Sequence, residues 1–154
     1  TLPRELELKG GRIWQKPVRE IETYHKNFCK YEKAEIDGET TLAGVEGRTI
    51  DLTVTLENGD FTTFSMKLAA NDDRTYCGVT KDIVCVRKIK ISDPDGLKTM
   101  RFILDRQSIE LFINDGQQVA TTAICTPQEA KGISFFSDRK MWINVEKYDI
   151  VKPA

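Results

Sequence analysis

Any chemistry this chain performs must come from its carboxylates, its single histidine, its four cysteines or its aromatic rings. Two carboxyl groups held about 5–5.5 Å apart can act as one nucleophile and one acid/base. The chain carries 24 acidic residues, but most fall at polar positions of alternating segments or in turns, where they are solvated. Asp105, which opens Asp-Arg-Gln-Ser, and Glu110, between Ile109 and Leu111, stand apart. Asp105 and Arg106 read as a strand-to-strand corner, where Asp accepts backbone N–H groups and Arg can pair with it. Glu110 alternates with apolar neighbours and reads as an outward, solvated strand position.

Nucleophilic and metal chemistry find less support. His25 sits among polar and charged neighbours in Tyr24-His25-Lys26-Asn27 and reads as a surface residue, and no Gly-x-Ser-x-Gly elbow exists. Lys9-Gly10-Gly11-Arg12 lacks the phosphate-loop pattern and reads as a hairpin turn. Cys29, Cys77, Cys85 and Cys125 contain no Cys-x-x-Cys pair, so neither a metal site nor a cofactor is expected. Sugar binding is the remaining option, because aromatic rings offer apolar area with a polar tip. Trp14, Trp142, Tyr24, Tyr31, Tyr76 and Tyr148 are the candidates, with Trp14 and Trp142 foremost. The competing reading places both tryptophans in the core or in a seam to another domain.

The elements that would position these residues show period-two alternation. Ile50, Leu52, Val54 and Leu56 alternate with Asp51, Thr53 and Thr55, and Asn58-Gly59 follows as a hairpin turn signal. The return strand is expected through Phe64, Met66 and Leu68. A second hairpin is expected from Tyr76–Val79 and Ile83–Arg87, with Cys77 opposite Cys85 and both thiols free. Met100–Leu104, Ser108–Ile113, Val119–Ile124, Gly132–Ser137 and Met141–Ile150 read as further strands, with Asn114-Asp115-Gly116 as a turn. Glu5–Lys9 and Arg12–Gln15 form an N-terminal hairpin around Gly10-Gly11, and Pro17 starts a short helical turn running to Tyr24. The run Arg87-Lys88-Ile89-Lys90 suits a charged strand edge, and Asp93-Pro94-Asp95-Gly96 reads as a loop. The pattern implies an all-β, two-sheet antiparallel sandwich.

Composition sets outer limits. The chain of 154 residues suits one domain, with 40% hydrophobic and 31% charged residues able to build a core. A formal net charge of -1 gives no footprint for nucleic acid or an anionic membrane. Its apolar runs fall far short of the ~20 residues that span a bilayer. Thr1 in place of Met suggests a fragment or a processed product. No signal peptide opens the chain, and the lack of an Asn-x-Ser/Thr acceptor fits a bacterial or cytosolic setting, so a cytoplasmic bacterial location is expected.

Some segments are specific enough to suggest a family. Arg101-Phe102-Ile103-Leu104-Asp105-Arg106-Gln107-Ser108-Ile109-Glu110-Leu111-Phe112-Ile113-Asn114-Asp115-Gly116 resembles the C-terminal signature of glycoside hydrolase family 32, with Gln107 where Ser is common. Within it Asp105, Ser108, Glu110, Phe112, Asn114 and Gly116 are the signature positions. Gly132-Ile133-Ser134-Phe135-Phe136-Ser137 resembles the family's next strand. Pro3-Arg4-Glu5-Leu6 and Gln15-Lys16-Pro17-Val18-Arg19-Glu20-Ile21-Glu22 resemble the propeller end and the linker after it. The middle departs, with Gly78-Val79-Thr80 and Cys85-Val86-Arg87 where the family shows Gly-Tyr-Asp and Leu-Asp-Arg.

This resemblance implies a concanavalin-like sandwich of two antiparallel sheets over residues 25–154, preceded by a propeller-end hairpin and linker helix over residues 1–24. It implies a non-catalytic module whose parent is a retaining β-fructofuranosidase acting on sucrose or sucrose 6-phosphate. The expected partner is an N-terminal five-bladed catalytic propeller, with a second subunit as a further partner through a sheet edge. The family's Asn-Asp-Pro-Asn, Arg-Asp-Pro and Glu-Cys catalytic motifs are absent, so no catalytic residue carries over. Fructan binding or oligomerisation, as in a levanase or invertase, is the alternative role.

Overall fold

The computed structural model describes residues 2–59, 61–70, 77–80, 83–86, 89–92 and 99–153. Its strands are β1 (Arg4–Lys9), β2 (Arg12–Pro17), β3 (His25–Thr40), β4 (Ile50–Gly59), β5 (Thr63–Ala70) and β6 (Cys77–Thr80). They continue with β7 (Ile83–Val86), β8 (Ile89–Ser92), β9 (Thr99–Asp105), β10 (Ser108–Ile113), β11 (Gln118–Ala123) and β12 (Gly132–Ile150). One 3-10 turn, Arg19–Tyr24, joins β2 to β3. No helix among the described residues is long and apolar enough to cross a membrane.

The long strand β12 organises the fold. On one side it pairs with β3 from end to end. On the other, its Met141–Asp149 stretch pairs with β4 and its Gly132–Ser137 stretch pairs with β5. Strands β9, β10 and β11 extend from β4, while β6, β7 and β8 extend from β5. The resulting bent sheet has two halves, and one buried cluster holds their inner faces together. Leu52, Phe102 and Leu111 enter it from the first half, and Phe64, Met66 and Phe135 from the second. That is the expected all-β sandwich of antiparallel sheets.

Four strand readings need correction. Asn58-Gly59 does not close a hairpin, because β4 and β5 lie one after the other along β12 instead of pairing with each other. The turn signal marks a bend in one path, since β12 offers both segments a better partner than they offer one another. Gly132–Ser137 and Met141–Ile150 are likewise one strand, continuous across a register shift between Ser137 and Met141. In the β6–β7 hairpin, Cys77 is paired with Val86 and Cys85 with Gly78, so the cysteines are not opposite each other. Pro17 ends β2 and does not open the helical turn. Tyr76, Arg87, Lys88 and the Asp93–Gly96 loop lie outside the described residues.

Strand β3 is absent from the pattern reading because its sequence does not alternate cleanly. Positive φ at Asn27, Lys33 and Gly38 interrupts it, and its register against β12 shifts near the same places. Side chains fill two of these irregularities. Asn144 accepts the Lys33 N–H at 2.7 Å through Oδ1, and Asn27 donates to Asp149 at 2.7 Å. Bulges and charges of this kind blunt an exposed edge against pairing with another chain.

A buried guanidinium secures the far end of the sandwich. Arg48 donates to the carbonyls of Arg106, Thr126, Pro127 and Ala130 and to the Thr126 hydroxyl. It thereby ties the β9–β10 corner to the loop after β11. Replacing it strips the buried Thr126 and Ala130 carbonyls of this donor, a costly loss, while the Arg106 and Pro127 carbonyls keep Gln128 Nε2 and the Ala130 N–H. Arg48→Ala is expected to lower unfolding free energy by about 3 kcal/mol in urea titration, with an unchanged m-value.

Candidate functional site

The outer face of the β4–β9–β10 half carries two linked features, a clamp on the N-terminal segment and a cleft beside it. The clamp begins with alternation on β10. Ile109, Leu111 and Ile113 enter the core, which turns Glu110 and Phe112 outward. Outward here does not mean solvated. Glu110 is only 1% exposed, because residues 2–4 and the β1–β2 hairpin base lie over it. Its Oε1 accepts the Leu2 N–H at 3.0 Å and lies 3.6 Å from the Arg4 guanidinium.

Arg4 extends the clamp. It donates to Gln15 Oε1 and Thr121 Oγ1, each at 3.0 Å, and lies 5.6 Å from the Phe112 ring centroid. Phe112, Ile103 and Ile21 form a small second core, with Leu2, Val119 and Ile150 around it. The β10–β11 turn supplies the last attachment. Asn114, Asp115 and Gly116 all adopt positive φ, and the Gly116 carbonyl accepts the Gln15 N–H at 2.9 Å. A Cβ on Gly116 would stand 2.1 Å from the Gln15 carbonyl oxygen, so glycine is needed for this approach as well as for the turn. Asn114 also accepts the Thr99 N–H at 3.2 Å and donates its own N–H to the Thr99 carbonyl, locking the turn onto β9.

The other signature positions have plainer roles. Asp105 Oδ1 accepts the Arg106 N–H at 2.7 Å, capping the β9–β10 corner as expected, and Ser108 opens β10 opposite Asp105. On the hairpin's other face, Glu5 takes a fork of hydrogen bonds from the Arg19 side chain at 2.8 and 3.1 Å and accepts the Arg19 N–H at 3.0 Å. Those bonds hold the Glu5 carboxyl down at about 2.

The cleft, about 590 Å³, opens between the linker and the sheet face. Its floor is Asp51, buried and gripped by Arg101 through Nε to Oδ1 at 2.9 Å and Nη2 to Oδ2 at 2.6 Å. Burial works against the Arg101 charge, but Asp51's hydrogen bonds and charge outweigh it and raise the Arg101 pKa. His25 Nε2 lies 2.9 Å from Asp51 Oδ2, and the ring stacks on Tyr148 with centroids 4.1 Å apart. Phe28 stacks on Tyr148 as well, at 4.7 Å. The surface reading of His25 therefore fails: its side chain is 14% exposed, because a carboxylate and an aromatic partner compete successfully with water. Lys16 and Asp115, 3.4 Å apart, meet at the rim.

Neither tryptophan lines this cleft. Trp14 lies on the hairpin with the Lys9 ammonium 4.6 Å from its ring centroid. Trp142 stands on β12 opposite Glu35 of β3. The sequence reading placed neither His25, Asp51 nor Arg101 in a site. The available signal was a charged residue between apolar neighbours at both Asp51 and Arg101, the same signal that marked Glu110.

Residues 20–151 match the family described as glycosyl hydrolases family 32 C terminal, and the chain belongs to that family. A probable sucrose-6-phosphate hydrolase of Vibrio cholerae is 30% identical over 147 residues, covering 87% of this chain and 26% of that protein. The levanase of Bacillus subtilis is 26% identical over 166 residues, covering 89% of this chain and 24% of its own length. The chain thus spans about a quarter of these curated relatives. Among solved structures, exo-inulinase from Aspergillus awamori superposes with a TM-score of 0.77 at 17% identity. That match covers 99% of this chain and 36% of the inulinase chain, and it supports the fold alone.

Two measurements check the clamp. Gly116→Ala is expected to cost about 1–3 kcal/mol of stability, because the substituted turn must move away from Gln15. Glu5, ordinarily near 4.5, is expected to titrate at about 2 by carboxyl NMR. A depressed carboxyl stabilises the folded state above its unfolded value. The Glu5–Arg19 contribution is therefore complete above about pH 4.5 and fades as pH falls toward about 2.

Proposed function

We infer that this chain is the non-catalytic C-terminal module of a bacterial, cytoplasmic enzyme hydrolysing terminal β-fructofuranosides such as sucrose or sucrose 6-phosphate. In this reading it stabilises a five-bladed propeller that carries the catalytic carboxylates. One observation carries the proposal. The face of the β1–β2 hairpin that grips the sandwich through Arg4 and Gln15 continues outward as Leu6, Leu8 and Ile13. These are 67%, 76% and 60% exposed, with no described residue covering them. A contiguous apolar face on a well-anchored hairpin calls for a partner surface. Family membership and the short share of the relatives' length support upstream chain as that partner.

Docking of fructans is the second reading, favoured by the polar cleft beside the linker. Pairing of subunits through the β3 edge is opposed by its bulges and charges.

Leu8→Asp separates the main proposal from a purely local role. In this chain alone the substitution is expected to be nearly neutral, because Leu8 is already exposed. In the full-length protein it is expected to cost about 1.5–3 kcal/mol in thermal or urea unfolding. Equal effects in both would overturn the docking role. Fructose release from sucrose, sucrose 6-phosphate or levan by this chain alone would overturn the non-catalytic assignment.

A further inference from the structure

The cleft's composition specifies its ligand more narrowly than its position does. We propose that it is a binding site for an uncharged saccharide, and that it excludes the phosphorylated form of the same sugar. This rests on the second reading above, that the module docks sugar.

Most charges lining the cleft already have partners. Arg101 is neutralised by its two-point contact with Asp51, and Lys16 faces Asp115 at 3.4 Å. Glu22 and Glu146 also line the cleft, and Glu146 has Lys30 at 3.7 Å, a lysine that lies closer to Glu32. Among the described residues every basic group of the wall, His25 included, thus faces a carboxylate, and the Glu22 and Glu146 carboxylates oppose a phosphate.

The remaining polar groups suit hydroxyls. The cleft combines donors on Arg101 and Lys16, acceptors on Glu22 and Glu146, and hydroxyls on Thr53 and Thr99. A cation would satisfy only the acceptors and an anion only the donors. Each sugar hydroxyl both donates and accepts, so a polyol can match both sets. Tyr148, only partly buried, adds ring surface to the wall beside the buried Pro17 and Phe112. A volume of about 590 Å³ falls within the range of small-ligand sites. The floor is held in place, since Asp51 is fixed from two sides and His25 is clamped against Tyr148.

Titration calorimetry and NMR shift mapping on this chain, with sucrose, sucrose 6-phosphate and an inulin oligosaccharide, test the assignment. Sucrose is expected to bind with a dissociation constant on the order of 1 mM. Glu22→Ala and Glu146→Gln, neither in the core, should each weaken it about tenfold with thermal midpoints unchanged. Sucrose 6-phosphate should bind at least about tenfold more weakly than sucrose. Binding lost in Trp142→Ala but kept in the two cleft variants would overturn the cleft and leave the docking reading standing. Equal binding of the phosphorylated sugar would overturn the ligand class. No saturable binding of any probe would overturn both the site and the docking reading.

Discussion

The structure turns on a carboxylate placed where the strand pattern would leave it in water. Glu110 points away from the core, yet the N-terminal segment seals it in, and it answers the Leu2 amide and the Arg4 guanidinium. Burying a charge this way carries a desolvation cost that only well-matched partners offset. Here the match is incomplete, for Glu110 Oε2 and Arg4 Nε are buried with no hydrogen-bond partner among the described residues. An apolar contact could hold the hairpin as tightly. It could not define one path for the chain as sharply, because it has no directional bonds.

That constraint gives the two groups of recognisable motifs one physical meaning. The Pro3–Leu6 and Gln15–Glu22 segments lie about 100 residues from the signature around Glu110, yet they meet it in space. On β10, alternate residues face opposite tasks: Ile109, Leu111 and Ile113 build the sandwich, and Glu110 and Phe112 hold the linker. Gly116 adds a backbone contact that no larger residue allows. The hairpin is thus presented at a fixed angle with its apolar tip uncovered, which is what docking to upstream chain requires. The same overlay of linker on sheet creates the cleft, so the proposed sugar site and the clamp share their roof.

Alternation made much of this legible. Ile50, Leu52 and Val54, and the inward residues of β9 and β10, are buried as the period-two pattern requires. What alternation cannot report is pairing. Asn58-Gly59 looks like a hairpin turn because turn chemistry is local, while the competing partner, β12, lies some 80 residues away. Strand β3 was hidden for a related reason: bulges at Asn27 and Lys33 break the period that would reveal it. The site residues were harder still. His25, Asp51, Arg101 and Glu110 look like ordinary surface charges until the linker and the Tyr148 ring cover or contact them, and those are long-range contacts.

Native-state hydrogen exchange in Glu110→Leu against the unchanged chain tests the clamp most directly. The substitution keeps similar volume and removes both carboxylate oxygens, stranding the Leu2 amide and leaving Arg4, still bonded to Gln15 and Thr121, without its countercharge. The Leu2 amide and the β1–β2 ladder are expected to lose at least about tenfold in protection, with the β4–β9–β10 ladders unaffected. Unchanged protection in the hairpin, or an equal loss across hairpin and sandwich, would contradict the clamp.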